Sequence, residues 1–435
     1  MKNIIKVFLQ NKKLHLIIII IAGLGFNYLL FQKEYPNKID GDEILYHRVA
    51  KALLNGEDTY QSRAGETVDI GYLVTPGYPA FIAGNYLISG NKPISVYLMQ
   101  FAFSLVALVL IYLMLSDLFS NRFISLLATL WILFYWPLWE FNYSLTMESI
   151  SASLLILIIW FLYKYMRGQQ IKQLFILSIV FSILVITNVR FIVHAFVLGI
   201  YFIFYLHKYK RKTYFKHLIA YSAIIILTVF AWHYRQYITY DQFVLFNPGR
   251  SGYIESSADK EQIKGKKPFP KYESYIKRFK SRNSDPQELQ YILNKFTEKK
   301  YNELKEQYYS NQVARVYWVR LIAFWETIRL NFELAPDGGN RIRPPHSKER
   351  NITKGILLLP MFIFGIVGFM WAIKEKNHFI IILSLFILAH WLLHTYFHYN
   401  PRYRLTVIPI IFLIGWYGIT NIYGKIRPVI NKLNI

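Results

Sequence analysis

The chain contains no cysteine. Disulfides, thiolate metal sites and a cysteine nucleophile are therefore excluded, while nothing follows about compartment. Acidic residues are also scarce: 26 Asp and Glu stand against 50 Lys and Arg, a formal net charge of +24. Such an excess can mark a nucleic-acid binder, but no recognition module accompanies it, and no nucleic-acid partner is expected. Internal repeats and low-complexity tracts are missing as well. What the 435 residues do have is apolar surface, 54% hydrophobic and 18% aromatic, gathered into long runs.

A run of about 20 apolar residues crosses a bilayer. Ten stretches qualify, at about 14–31, 93–116, 122–138, 145–165, 171–189, 191–207, 215–232, 353–373, 378–395 and 404–423. No small-x-small cleavage site follows the first, so it is expected to remain as a span rather than leave as a signal peptide. With the N-terminus inside, the cytoplasmic segments read "KNIIKVFLQNKK", "KYMRGQQIK", "HKYKRKTYFKH", "KEK" and "KIRPVINK", with only Asp117 and Glu375 opposing them. This obeys the positive-inside rule, and anionic lipid headgroups account for most of the net charge. The expectation is one all-α polytopic domain, 1–435, multi-pass in the plasma (inner) membrane with both termini cytoplasmic.

Two outer segments are then long, 32–92 and 233–352. The first opens with "GDEILYHRVAKALLNG", whose Leu45, Val49, Ala52 and Leu53 repeat at helical spacing. It continues through "GYLVTPGYPAFIAGNYLISG", where Pro76 and Pro79 rule out a continuous span. The second holds "SDPQELQYILNKF", a helix start with Asp285 as cap, Pro286 at the first position and Glu288 closing a capping box. It also holds "VYWVRLIAFWETIRLNF", too charged to span and suited to the lipid–water interface.

Ionisable groups near a membrane are costly, so their places carry information. On this topology Asp42, Glu43, Glu140, Glu148, Arg190, Arg235, Arg402 and Arg404 all fall on the extracytoplasmic side. Carboxylates can take a proton from an acceptor hydroxyl, and guanidinium groups can hold phosphate oxygens through paired hydrogen bonds. Together they suit an enzyme acting on a lipid-linked phosphate. Each group also has a plainer reading: Asp42 and Glu148 as helix caps, Arg235 and Arg404 as interface anchors, Tyr46 as a belt residue. His390, His394 and His398 stack on one helical face at i, i+4, i+8. No carboxylate lies in that stretch to complete a metal set, so no metal is expected and hydrogen bonding near the site is preferred.

These motifs resemble the GT-C superfamily of integral-membrane glycosyltransferases, and among them the protein O-mannosyltransferases and the lipid A aminoarabinose transferase. "DEILYHRVAKALLNG" is similar to their first outer-loop motif, and "TPGYPAFIAG" to the Pro-x-Tyr-Pro stretch that follows it in bacterial members. "PRYRLTVIP" is similar to the Arg-Tyr-Arg-x-Pro-x-x-Pro opening of a late span, with Thr406 where a proline is common. "AWHYRQYITYDQFVLFN" is similar to a Pro-Trp-x-x-Arg-Asn-Tyr element, with Ala231 for the proline and Gln236 for the asparagine.

The resemblance implies a GT-C fold of about ten transmembrane helices with extracytoplasmic amphipathic helices. It implies a polyprenyl-phosphate-linked sugar as donor, a glycan, lipid or protein hydroxyl as acceptor, membrane lipids as surroundings and no cofactor. Asp42 matches the family's catalytic base, with Glu43 or Glu148 assisting. Tyr46, Tyr78, Arg190, Arg235, His394, Arg402, Tyr403 and Arg404 are the expected substrate-binding residues. Two alternatives stay open: a polysaccharide or lipid transporter, and an O-antigen-type polymerase in which Asp42 has no special part.

Overall fold

The structure is a computed structural model that describes residues 10–34, 39, 41–61, 67–119, 121–208, 211–240, 354–396 and 401–432. The two expected helices of the second outer segment, beginning at Asp285 and at Val316, lie outside the described residues. Within them the chain is an all-α polytopic membrane protein. Seven helices are long and apolar enough to cross a bilayer, and a bent pair makes eight. Two more of the ten expected stretches form shorter apolar helices, Ile171–Thr187 and Val189–Phe204. At 1.5 Å per residue a 17-residue helix reaches only about 26 Å, just under the thickness of the hydrocarbon core.

In chain order the first span is α1 (Lys12–Glu34), followed by the short α2 (Gly41–Leu54). Strands β1 (Thr59–Gln61) and β2 (Thr67–Asp69) pair antiparallel with Tyr60 opposite Val68. Helix α3 (Gly77–Ser89) starts directly after Pro76 and carries Pro79 in its first turn, where a missing N–H costs nothing. Its end is closed by Gly90 at φ 68°, a left-handed cap that a residue without Cβ adopts freely.

Then come α4 (Pro93–Leu118) and α5 (Arg122–Leu133), the latter capped by the Asn121 side chain, which accepts from the N–H of Phe123 at 3.0 Å. The expected third span does not run straight. Pro137 has no N–H to bond the Leu133 carbonyl four residues back, α5 ends there, and the chain turns by 58° into α6 (Trp136–Trp139) and the 3₁₀ turn Glu140–Tyr143. The Trp139 indole donates to the Ile132 carbonyl at 2.9 Å and so engages a carbonyl at the bend.

Helices α7 (Glu148–Gly168), α8 (Ile171–Thr187), α9 (Ile192–Lys208) and α10 (Arg211–Tyr240) continue the bundle. The last three spans' worth of chain is α11 (Leu359–Glu375), α12 (His378–Tyr396), the one-turn α13 (Pro401–Arg404) and α14 (Ile408–Lys432). Helices α11 and α14 pack backbone to backbone at glycines. A Cβ added at Gly415 would meet the Met361 carbonyl oxygen at 2.8 Å, and one at Gly368 or Gly418 would meet the carbonyls of Ile414 or Phe364. Small residues are what allow such an approach where lipid supplies no hydrophobic drive.

Candidate functional site

Asp42 and Glu43 occupy the first turn of α2, Asp42 exposed and Glu43 half-buried. Carboxylates suit that position, where the peptide N–H groups of the first turn point. One turn on, Tyr46 is buried, its hydroxyl 3.5 Å from the sulfur of Met147. Its ring meets Tyr78 edge to face at 4.9 Å between centroids. Tyr78 is wholly buried at the start of α3 and donates to Gln100 Oε1 at 2.9 Å. Burial pushes the Tyr78 hydroxyl well above its ordinary pKa, and the nearby Tyr46, Glu148 and Glu43 add to the shift. The acidic motif, the first residue of α7 and the start of α3 are thus electrostatic neighbours.

A buried amide and hydroxyl network holds this corner. Gln100 Nε2 donates to the carbonyls of Asn142 and Ser144, each at 3.0 Å. Asn142 donates to Asn27 Oδ1 at 2.9 Å and accepts from Ser104 at 2.8 Å and from Ser149. Tyr143 donates to the Asn27 carbonyl at 2.7 Å. Three helices, α1, α4 and α7, are therefore tied to the turn that precedes Glu148, and α3 joins them through Tyr78 on Gln100. Glu148 itself is buried at the first position of α7, preceded by Met147, which makes no side-chain cap bond. Glu140, at the start of the 3₁₀ turn, is buried too.

The basic half forms around α12. Arg190 lies in the 3₁₀ turn Val189–Phe191 between α8 and α9. Its guanidinium carbon sits 3.3 Å from the centroid of the Tyr403 ring. His394 packs on Tyr403 at 5.1 Å, and His390 packs on His394 at 4.4 Å. His390 Nε2 lies 3.2 Å from the Tyr403 carbonyl oxygen, which can only accept, so that nitrogen carries the proton. Arg404 is 1% exposed, just before the turn Leu405–Val407 that packs on α6 and α7. Arg402 lies in α13. His398 lies outside the described residues. Among the described residues no group of three or more His, Asp or Glu could hold a metal ion.

The halves touch through backbone. Gly77 leaves no room for a Cβ, which would meet the Thr187 N–H at 2.6 Å, and Thr75 donates to the Thr187 carbonyl at 3.3 Å. Tyr78 follows Gly77, and Arg190 lies three residues beyond Thr187.

Arg235 belongs to a different arrangement. Helix α10 runs unbroken through it to Tyr240 rather than ending near 232. Its two terminal nitrogens donate to Asp69 at 2.9 and 2.7 Å, a bidentate fork. Asp69 also accepts from the Gly71 N–H at 2.7 Å, and Gln236 donates to the Gly71 carbonyl at 3.2 Å. The structure thus brings Glu43, Tyr46, Tyr78 and Glu148 together, and separately Arg190, His394 and Tyr403, while Arg235 pairs with a strand end. Gln100, Asn27 and Asn142 were not singled out from sequence, although one amide inside an otherwise apolar run is a signal. Asp69, 166 residues from its partner, offers no local signal.

Residues 74–234 match the family model described as dolichyl-phosphate-mannose-protein mannosyltransferase. Among curated proteins nothing matches. The matched stretch holds Tyr78, Glu140, Glu148 and Arg190, and stops short of Asp42 on one side and of residues 401–404 on the other. The match supports a GT-C superfamily glycosyltransferase, the class to which the motifs are similar. The matched stretch is less than half of the chain, and together with the apolar helices it supports a membrane-embedded glycosyltransferase.

Proposed function

We propose that this protein moves a sugar from a polyprenyl-phosphate-linked donor to a hydroxyl of an extracytoplasmic glycan, lipid or protein acceptor, with inversion. Asp42 takes the proton of the acceptor hydroxyl, and the freed oxygen attacks the anomeric carbon. The bond from that carbon to the phosphate oxygen breaks with its electrons, and polyprenyl phosphate leaves. Glu43 or Glu148 assists Asp42. Arg190 and Arg402 hold the phosphate, with Arg404 of the same motif, and offset the charge that develops on it. Arg235 either lends its fork to the phosphate or stays with Asp69; its present geometry favours the latter.

The observation that carries this reading is the backbone contact of Gly77 with Thr187, which sets the Asp42–Tyr78 corner beside the Arg190 turn. A carboxylate base and a guanidinium fork are what this reaction needs on opposite sides of one bond. A lipid-linked donor suits a membrane-embedded site, and the family's description makes a polyprenyl-phosphate mannose the first donor to test.

Mass spectrometry of lipids from cells lacking the protein tests the reading. A polyprenyl-phosphate sugar should accumulate there and disappear on complementation. An unaltered lipid pool together with loss of an exported glycan would favour a transporter instead.

A further inference from the structure

We propose that Tyr403 is a positioning residue: its ring, fixed by one face of α12, is a platform that sets the Arg190 fork for the donor phosphate. The inference rests on the functional reading above and assigns the residues that prepare its phosphate site.

The stacking distance comes first. At 3.3 Å between guanidinium carbon and ring centroid, the planar group must lie flat on the ring, because an edge-on approach would drive its nitrogens into the aromatic carbons. A flat guanidinium is attracted by the ring's negative face. Its N–H groups lie in its own plane, around the rim of the stack. The ring covers the flat face and not the rim, so the stack itself does not block an approach of phosphate oxygens to the fork. Arg190 follows a residue pair that is itself constrained, since Thr187 is covered by Gly77 and Asn188 is buried. A side chain already held loses less freedom when ligand binds.

The platform is in turn over-determined. The Tyr403 carbonyl accepts from His390 at 3.2 Å and from Thr406 Oγ1 at 3.0 Å. His394 rests on the Tyr403 ring at 5.1 Å. Phe191, next to Arg190, packs on the same His390 at 5.6 Å and on His194 at 4.8 Å. Both members of the stack are thus referred to one face of α12, through His390 and His394 at i and i+4. His390 and His394, for which the sequence suggests hydrogen bonding near the site, do this work. Thr406, standing where relatives of similar motif commonly have proline, supplies a hydroxyl to the same carbonyl.

The test replaces Tyr403 by phenylalanine and by phenylalanines of increasing fluorination in the full-length protein, and measures binding of a polyprenyl phosphate in detergent. Fluorine drains the ring's negative face with little change of shape, so folding is preserved. Measured against Tyr403→Phe as the starting point, Kd should rise stepwise across the fluorine series, by about three- to tenfold overall. In an Arg190→Met background the series should be flat. A flat series with Arg190 present, or an equal rise with Arg190 absent, would overturn the platform while leaving the functional reading in place. Wild-type protein that binds no polyprenyl phosphate would overturn that reading, and the platform with it.

Discussion

Tyr78 sits with its ring against Tyr46 and its hydroxyl on Gln100, sealed from solvent. The motif around it suggests a substrate contact; its surroundings are those of a framework residue. Its raised pKa keeps the proton on the hydroxyl, so it remains a donor across the working pH range. Tyr78→Phe would leave Gln100 Oε1 without that donor, a loss of about 1–3 kcal/mol for a buried acceptor. Thermal unfolding in detergent should register that loss while donor affinity stays within twofold. Weakened binding at unchanged stability would restore Tyr78 to the substrate. The identity of such residues is readable from sequence, but their partners are not. Tyr78 and Gln100 lie 22 positions apart on different helices, and only packing decides that they meet.

At the scale of elements, the hairpin β1–β2 is clasped to the end of α10 by Asp69 and Arg235. A two-stranded ribbon has little stability of its own and needs such a tie. Gly71 allows the close approach, since a Cβ there would collide with the Arg235 guanidinium. Asp69→Asn, Arg235→Gln and Gly71→Ala should each speed hydrogen exchange in 59–69, and Asp69→Arg with Arg235→Asp should slow it again. Unchanged exchange in the single variants would mean the clasp holds nothing. Helix existence was legible from apolar runs, as at 93–116 and 378–395, because length and composition fix it locally. The continuation of α10 past residue 232 was not, since neighbours decide whether a helix persists, whereas the bend has a local cause in Pro137 that the apolar run around it concealed. The clasp was invisible because Asp69 ends a three-residue strand, too short to give a periodic signal.

For the whole molecule, we propose from the asymmetry of Lys and Arg that the end of the bundle bearing Asp42 faces out. The chain has no native cysteine, so single introduced cysteines report orientation against a clean background. A cysteine at the exposed Asp58 should react with an impermeant thiol reagent applied from outside, and one at the exposed Lys376 should be protected. The reverse pattern would put the Asp42 corner in the cytoplasm, where nucleotide sugars compete as donors. The acidic motif and the arginines were legible as a set; that Arg190 stacks on Tyr403 while Arg235 pairs with Asp69 required the fold.

The most direct measurement is turnover of Asp42→Asn with a polyprenyl-phosphate sugar donor, beside Glu43→Gln. Asparagine is nearly isosteric with aspartate but cannot accept the acceptor's proton. The rate should fall by about 10²–10⁴, with expression and donor binding intact, and Glu43→Gln should lose much less. Near-normal turnover in Asp42→Asn would leave the residue only its place in the helix dipole and contradict its role as base.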